Sequence, residues 1–559
     1  MSDIIAFSPV LLAAITGLIV MVLDLLSGKN THKGFLGWVT AVGLLASGTA
    51  ACLLWVGGRE ISLPFMVGMV QFDTYGAFFV TLIAIAGAAS SLLIVDHNPE
   101  QGIHDGATYP LVAFATFGAM LFVVATDMIL LFLGLEIMSL ALYVLAASKQ
   151  TSPFSMEAGV KYFLLGALAS GFFLFGAAFL YGATGSLDFV TVGRTIQDAA
   201  AHGSGLSKVA LVMIIAALGF KIAAVPFHFW TPDVYEGSPT PISAFMAGVV
   251  KAAGFAVLAR MMLTIWGTAE FSSGWQSPGG ILLILAVISM VVGNIMGIVQ
   301  DNVKRILAYS SISHAGYILL GVYAIGLGEP GAVGISLNSG VPFYLLTYVL
   351  ATVGAFGVLA LMGGQGHEDM SLDSIAGLGK RSPILALILT ISVLSLAGIP
   401  PLLGFMGKFV LFKQVLLADP DRNWVWVVVA VLNSLVALYY YLRIVLYVYF
   451  REPEGEAAPI IKSNAGLFAV STMAVLVLLL GVFPGKAIDA SNQASHHAVL
   501  SIAGAQAAPA VQQESAPTPE PKQPLRLRQV DGLKVDPSHI PIIRRAMELK
   551  LRDSGPKPK

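Results

Sequence analysis

The amino-acid sequence predicts an all-α membrane protein of about fourteen transmembrane helices, with two inverted five-helix repeats that contain broken helices. Of the 559 residues, 56% are hydrophobic and only 11% are charged, whereas soluble globular domains are about a quarter charged. The mean hydropathy is +0.81. Apolar runs of about 20 residues, long enough to cross a bilayer, recur along most of the chain. No water-soluble core could bury this many apolar runs.

The apolar runs between polar or Gly/Pro punctuation give the predicted spans in chain order. They cover residues 4–26, 34–57, 74–95, 108–125, 127–147, 158–182, 207–227, 241–266, 280–300, 304–326, 341–362, 382–417, 424–450 and 464–484. The first run lacks a preceding basic region, so it is predicted to be a retained helix rather than a cleaved signal peptide. The mixed segment 186–200 is predicted to lie at the surface. Lys and Arg are more frequent in one set of alternate loops, which predicts that both termini lie outside the cytoplasm.

Composition also excludes several classes of function. The net charge of −1 gives no strongly basic surface for nucleic acid. A single cysteine, Cys52, excludes a disulfide framework and a cysteine-ligated iron–sulfur cluster within this chain. The sequence contains no nucleotide-binding glycine motif and no His or Cys cluster with metal-ligand spacing. We therefore predict no cofactor in this chain, and energy for any work would come from a partner or an ion gradient.

The spans also suggest an internal repeat. Spans four to eight and nine to thirteen form two units of five helices, and an odd number of helices forces the units into opposite orientations. The fourth helix of each unit combines proline with a charge, Lys221 before Pro226 in the first and a double proline before Lys408 in the second. The second helix carries Glu136 in the first unit and His314 in the second. The match is partial, because the order of proline and lysine is reversed between the units.

The predicted organisation therefore has five parts. They are a three-helix segment at 1–106, repeats at 107–270 and 278–450, a last span at 451–490, and a flexible tail at 491–559. The tail is rich in Ala, Gln, Pro and Glu, which is typical of a linker. Residues 540–553 either form a short amphipathic helix or belong to a disordered tail.

Charged residues inside the spans are the candidates for chemistry. A charge at the bilayer centre costs about 2.5–3.5 kcal/mol on insertion scales, so it is rarely kept without a use. This criterion singles out Glu136, Lys221, Lys251 and Lys408. Burial disfavours a charged ammonium and a nearby carboxylate favours it, so a lysine with a movable glutamate partner can load and release a proton. We predict that Glu136 acts on Lys221 in this way, that Lys251 passes the proton laterally, and that Lys408 releases it or takes up the next.

Two further residues are weaker candidates for the same relay. His314 suits it because an imidazole ordinarily titrates near neutral pH. Lys161 lies only four residues into its span, so a position at the membrane interface is equally consistent.

Each candidate also has a purely structural alternative. Glu136 and Lys221 could form a static pair, Lys251 and Lys408 could reach toward an interface, and His314 could make a plain polar contact.

Three sequence blocks resemble the antiporter-like subunits of respiratory complex I. They are MEAGVKYFLLGALASG (156–171), GFKIAAVPFHFWTPDVYEGSPTPISAFMAGVVKAAGF (219–255) and VKRILAYSSISHAGY (303–317). The resemblance covers about residues 1–490, and the 156–171 block is similar to the subunit N family of bacterial NADH–quinone oxidoreductase in particular. The tail beyond residue 490 departs from the family pattern.

The resemblance implies a fold of fourteen helices with two inverted five-helix units. It also implies proton pumping driven by quinone reduction elsewhere in a complex of the bacterial inner membrane. The family's key glutamate of the fifth helix matches Glu136, and its key lysines of the seventh, eighth and twelfth helices match Lys221, Lys251 and Lys408. A lysine at the last of these positions fits subunit N better than subunit M.

The same resemblance implies the partners of the chain. They are the other membrane subunits of NADH–quinone oxidoreductase and the lipid bilayer, with no nucleic acid. NADH, FMN, iron–sulfur clusters and quinone are then expected in partner subunits. Two alternatives remain open, a subunit of an Mrp-type cation/proton antiporter, which shares the same ancestry, and a scaffold that supports assembly without conducting protons.

Overall fold

The computed structural model describes residues 2–28, 33–56, 69–104, 106–197, 205–266, 277–325, 327, 340–364, 370–453 and 458–495. Within these ranges the regular elements are helices, and the only extended pairings are isolated bridges. The predicted helix at 540–553 lies outside the described residues.

The helices in chain order begin with α1 (Ser2–Leu26), α2 (Gly34–Val56), α3 (Thr74–Glu100), α4 (Thr108–Val124), α5 (Met128–Ala146), α6 (Pro153–Thr184) and α7 (Phe189–Gln197). They continue with α8 (Gly205–Ile222), α9 (Trp230–Gly237), α10 (Thr240–Trp266), α11 (Pro278–Ile298), α12 (Val303–Ile325) and α13 (Gly340–Ala360). The last are α14 (Leu378–Arg381), α15 (Pro383–Ala397), α16 (Leu403–Ala418), α17 (Pro420–Phe450) and α18 (Asn464–Val482), followed by a helical stretch at 485–495.

The all-α membrane fold is confirmed, whereas the number of spans is not. Among the described residues, twelve helices are long and apolar enough to cross a membrane. Two other predicted spans correspond to shorter apolar helices, α4 and α15. The count of fourteen and the bounds of the two inverted repeats therefore stay predictions. The predicted surface segment 186–200 contains α7, whose nine residues are too short for a span.

Local sequence explains where several helices begin. Helices suit the bilayer because they satisfy their backbone hydrogen bonds internally, except at their ends. Asp127 precedes α5, and its carboxylate accepts from the backbone N–H groups of Ile129 and Leu130 at 2.8 and 3.4 Å. Ser152 precedes α6 in the same way, followed by Pro153 at the first helical position.

The first predicted helix break is present between α8 and α9. The run of α8 ends at Ile222, and helix resumes at Trp230 beyond Pro226. The backbone N–H of Val225 within the break donates to the Ser289 hydroxyl of α11 at 2.9 Å. A side chain from another helix thus satisfies a backbone group that the break leaves without a helical partner.

The second predicted break is present between α15 and α16. Gly398 ends α15 in the left-handed region, with φ of 86°, and its N–H donates to the Leu394 carbonyl at 3.0 Å. Pro400 and Pro401 follow, and neither can donate a backbone hydrogen bond. The predicted interruption by the double proline is therefore confirmed.

Four helices form the centre of the bundle. In the apolar windows of α10 and α12 every residue is buried, and in α3 and α13 the buried share is 89% and 94%. In contrast, α1, α2 and α6 bury only 33% and α17 only 22%. Because α10 and α12 carry Lys251 and His314, these two residues lie in the interior of the protein rather than at its lipid-facing surface.

Candidate functional site

Lys221 lies in the last turn of α8, directly before the helix break, and is 4% exposed. Its ammonium donates to the Ser139 hydroxyl of α5 at 2.7 Å and to the Tyr162 hydroxyl of α6 at 3.4 Å. The ammonium also lies 5.4 Å from the centre of the Tyr162 ring, within the range of a cation–π contact. Lys221 is therefore held by hydroxyl groups from two neighbouring helices.

Glu136 is half-buried on α5, three residues before Ser139. Its carboxylate accepts a short hydrogen bond from Ser170 of α6. Within the described part of the chain, no ion pair joins Glu136 to Lys221. Glu136 and Ser139, which accepts from Lys221, are three residues apart and therefore share a face of α5.

Lys251 lies at the centre of α10, immediately after a π-helical turn at Met246–Val250. It is 1% exposed, and its ammonium donates to the backbone carbonyl of Ser311 at 2.5 Å and, by a shorter contact, to the Ser311 hydroxyl. Tyr348 of α13 donates to the same hydroxyl at 2.9 Å, and its ring centre is 5.6 Å from the ammonium. Ser311 thus connects a lysine to a tyrosine in the interior.

His314 follows Ser311 by one turn of α12, so the two side chains share a face of that helix. Its Nδ1 lies 2.8 Å from the Tyr344 hydroxyl oxygen, and its Nε2 lies 3.1 Å from that of Tyr441. The Tyr441 hydroxyl is also in short contact with Ser310. Both ring nitrogens therefore have a hydroxyl neighbour that can donate or accept a proton.

Lys408 lies in α16, just after the second helix break, and is 6% exposed. Its ammonium donates to the Ala397 carbonyl at 2.8 Å and to the Ser434 hydroxyl of α17 at 2.7 Å. Ala397 is the last residue of α15, so its carbonyl is one of those that the break leaves without a helical partner. The ring of Tyr317 lies 5.4 Å from the ammonium.

Lys161 lies in a different environment from the other candidates. Its side chain is 40% exposed and pairs with Glu157 at 2.6 Å and with Asp233 at 2.7 Å. Arg305 at the start of α12 contacts Asp233 at 2.9 Å and Glu236 at 2.6 Å. This surface ion-pair cluster joins α6, α9 and α12, and it favours the interface position over a place among the buried lysines.

Asp233 on α9 receives two cationic hydrogen bonds within the cluster. Partial burial alone would raise the pKa of this carboxyl, but the hydrogen bonds from Lys161 and Arg305 lower it below its ordinary value. The carboxylate therefore stays charged and paired at neutral pH.

A buried ion pair was missed by the sequence analysis. Arg260 of α10 donates two hydrogen bonds, of 2.8 and 3.0 Å, to the carboxylate of Asp73, and the two side chains are 3% and 6% exposed. The guanidinium lies 5.0 Å from the ring centre of Tyr75. The signal was available, because Arg260 is a charge within the predicted span 241–266, like Lys251.

The hydroxyl partners were also missed, although part of their signal is in the sequence. Ser139 follows Glu136 by three residues, and Ser311 precedes His314 by three. Residues at this spacing share a helix face. The tyrosines and Ser434 come from helices distant in sequence and carry no comparable local signal. In the described ranges no group of three or more His, Cys, Asp or Glu side chains could hold a metal ion.

Comparison with known proteins decides the family. The family model "NADH:quinone oxidoreductase/Mrp antiporter, TM" matches residues 125–436. A curated relative, NADH-quinone oxidoreductase subunit N 1 of Sorangium cellulosum (strain So ce56), is 38% identical over 509 residues, which cover 88% of this chain and 98% of the relative. The chain belongs to the subunit N family of NADH–quinone oxidoreductase. The resemblance seen in the three sequence blocks is thereby confirmed.

Solved structures agree with this membership. A chain of respiratory complex I from Thermus thermophilus, solved with bound aureothin, is 35% identical, with a TM-score of 0.71, and the match covers 86% of this chain and 98% of that one. A chain of the Mrp complex from Dietzia sp. DQ12-45-1b has a TM-score of 0.73, covers 90% of this chain and 99% of that one, but is only 20% identical. The second likeness concerns the fold alone, so the Mrp alternative is less supported than subunit N.

Proposed function

We propose that this chain is a proton-translocating membrane subunit of an NADH–quinone oxidoreductase in the bacterial inner membrane. Quinone reduction elsewhere in the complex would drive proton transfer through Glu136, Lys221, Lys251, His314 and Lys408. Membership of the subunit N family and the length shared with the Sorangium relative, 98% of that protein, support this proposal. The other membrane subunits of the complex are its partners, and they together with the remaining subunits would carry NADH, FMN, the iron–sulfur clusters and quinone.

The single observation that carries the proposal is which groups hydrogen-bond to the three buried lysines of the relay. In the described part of the chain, Lys221, Lys251 and Lys408 have hydroxyl and carbonyl neighbours but no carboxylate ion pair. A permanently charged lysine inside a membrane protein is usually paired or reaches the interface. A lysine held by hydroxyl groups can lose its proton without leaving a buried carboxylate unpaired, because a hydroxyl can donate as well as accept. This argues against a static structural role.

The geometry suggests how charge at one group could move a proton at the next. Glu136 could influence Lys221 electrostatically across Ser139, since Coulomb interactions reach beyond direct contact in a low-dielectric interior. Lys251 contacts Ser311, which lies one turn before His314 on α12. His314 in turn contacts the hydroxyl of Tyr441 on α17. Lys408 and Ser434 lie at the far end of this series. Among the described residues no hydrogen bond joins the Lys221 group to the Lys251 group, so transfer between them would need a bridging water or a side-chain rotation.

Lys161 would act at the membrane face rather than in the interior. Its ion pair with Asp233 joins α6 to α9, the short helix that follows the first break, whereas its pair with Glu157 lies within α6. We retain the two predicted inverted repeats, residues 107–270 and 278–450, in this scheme. Each unit would contribute one broken helix and one lysine beside the break.

Alanine substitution of Lys221 in the intact complex tests the proposal. The purified complex is reconstituted in sealed vesicles, and protons moved per NADH oxidised are measured together with subunit assembly. Lys221→Ala should lower the proton yield per electron. The matched control is Lys208→Ala, because Lys208 is an exposed lysine of the same helix and should have no effect.

Lys408→Ala and the exposed Lys413→Ala on α16 form an equivalent pair for the second break. If Lys221→Ala and Lys408→Ala both assemble normally and leave the proton yield unchanged, the proposed relay is wrong and the scaffold alternative gains.

A further inference from the structure

Asn294 lies one turn before the end of α11 and is 1% exposed. Its Nδ2 group donates to the Asn433 backbone carbonyl of α17 at 2.8 Å, and the Tyr440 hydroxyl of the same helix donates to its Oδ1 at 3.0 Å. The Tyr317 hydroxyl of α12 lies 3.4 Å from Nδ2. One uncharged amide therefore joins three helices in the interior of the protein.

The contact with the Asn433 carbonyl determines which way the amide points. A backbone carbonyl can only accept, so the Nδ2 side of Asn294 faces it and the Oδ1 side faces Tyr440. An amide oxygen cannot donate, so Tyr440 gives its single hydroxyl proton to Asn294. The hydroxyl oxygen of Tyr440 is then left as an acceptor for its other neighbours.

Those neighbours adjoin the histidine of the relay. The side chains of Ser310 and Tyr441 form hydrogen bonds with Tyr440, and the two are also in contact with each other. The Tyr441 hydroxyl lies 3.1 Å from Nε2 of His314. An acceptor at Tyr440 favours donation away from the imidazole, which leaves Tyr441 to accept from Nε2. Asn294 thus sets the direction of the hydrogen bonds that reach His314.

The other side of the amide adjoins the Lys408 group. Asn433 accepts from Asn294 and directly precedes Ser434 in α17. The Ser434 hydroxyl accepts from the Lys408 ammonium at 2.7 Å. The ring centre of Tyr317 lies 5.4 Å from the same ammonium. The amide is therefore in contact with groups that adjoin Lys408 and with groups that adjoin the histidine.

We propose that Asn294 is a positioning residue for proton transfer between His314 and Lys408. Its amide does not titrate, so it carries no proton of the relay and acts by orienting the hydroxyl groups beside it. The inference rests on the proposed function, because it requires that protons pass between these two residues. A purely structural role would need the amide only to hold α11 against α17.

Asn423 of α17 provides a matched control within the same chain. It is 0% exposed, its Nδ2 donates to the Val415 carbonyl at 2.8 Å, and the Tyr323 hydroxyl donates to its Oδ1 at 3.3 Å. Its hydrogen-bond partners in the described ranges include no member of the relay. Leucine at position 294 or 423 removes the same kinds of hydrogen bond at nearly the same side-chain volume.

The test uses the intact complex with Asn294→Leu, Tyr440→Phe, the double variant N294L/Y440F or Asn423→Leu. Each complex is reconstituted in sealed vesicles, and the acidification rate and the denaturation midpoint are measured. Asn294→Leu and Tyr440→Phe should each slow acidification about tenfold, the scale of one lost buried hydrogen bond. The double variant should be no slower than the slower single variant, because both act through one hydrogen bond. Asn423→Leu should lower the denaturation midpoint but leave acidification unchanged.

Normal acidification by an assembled Tyr440→Phe complex would overturn the inference, because this variant removes only a hydroxyl. Equal slowing in Asn423→Leu would also overturn it, since the effect would then follow from packing alone, and so would additive slowing in the double variant. Lys408→Ala in the same assay separates this inference from the proposed function. Normal acidification in Lys408→Ala means that the relay itself is wrong, whereas slow acidification there beside a normal Tyr440→Phe removes only the role of Asn294.

Discussion

Removal of the Arg260 guanidinium, as in Arg260→Met, would leave the Asp73 carboxylate buried without its cation. The two side chains are 3% and 6% exposed and share two hydrogen bonds, so solvent cannot replace the lost partner. Breaking a buried pair by removing one member costs about 3–5 kcal/mol. The loss of the cation–π contact with Tyr75 adds about 1–2 kcal/mol. Against a typical total stability of about 5–15 kcal/mol, Arg260→Met should be strongly destabilising.

Asp73 and Tyr75 also hold the helix that carries Lys251. Asp73 caps α3 through the N–H of Gly76 at 2.7 Å, and the Tyr75 hydroxyl donates to the Ala256 carbonyl of α10 at 2.9 Å. The segment of α10 from Lys251 to Arg260 lies between two π-helical turns, and such turns frequently occur at functional sites. Losing this attachment should lower the proton yield as well as stability.

The assay compares Arg260→Met, Asp73→Asn and the double variant. Each purified complex is titrated with denaturant, and the proton yield is measured on the fraction that assembles. Breaking a buried pair is costly because it leaves one buried charge without its partner, and replacing both members by uncharged side chains removes that charge. The double variant should therefore recover most of the stability lost in Arg260→Met. If the double variant is as unstable as the sum of the two single ones, the pair is not the source of the effect and the reasoning is refuted.

Two further predictions concern other side chains. Ser311→Ala removes a hydroxyl that accepts from both Lys251 and Tyr348. The loss of such a buried hydrogen bond costs about 1–3 kcal/mol and should slow proton transfer about tenfold or more. Ser311→Thr should keep the hydroxyl and much of the rate. The rate of vesicle acidification is measured for Ser311→Ala and Ser311→Thr, and equal rates in these two variants would exclude Ser311 from the relay. The lowered pKa of Asp233 means that its ion pairs stabilise the protein above the pKa of the unfolded carboxyl, about 4, and that this contribution is lost as pH falls through the lower folded value. Denaturation midpoints between neutral pH and about pH 3 should fall less for Asp233→Asn than for the unmodified complex, and parallel curves would contradict this assignment.

Much of the fold was predictable because membrane helices are specified locally. Apolar length marks a span, and proline removes a backbone donor wherever it occurs. The breaks at Pro226 and at Pro400 and Pro401 were therefore predictable, and so was the burial of Lys221, Lys251 and Lys408. The number of spans was not, because α4 and α15 are too short for apolar length to decide.

The sequence by itself determined that the chain lies in a membrane, where its helices break and that Lys221, Lys251 and Lys408 are buried inside it. These properties depend on each residue and its near neighbours along the helix. Only the tertiary structure decided what each charge contacts: Glu136 binds Ser170 rather than Lys221, Lys161 belongs to the surface ion-pair cluster, and Arg260 pairs with a residue 187 positions away. Such partners meet because separate helices pack together, and hydropathy and local spacing do not encode which helix faces lie in contact.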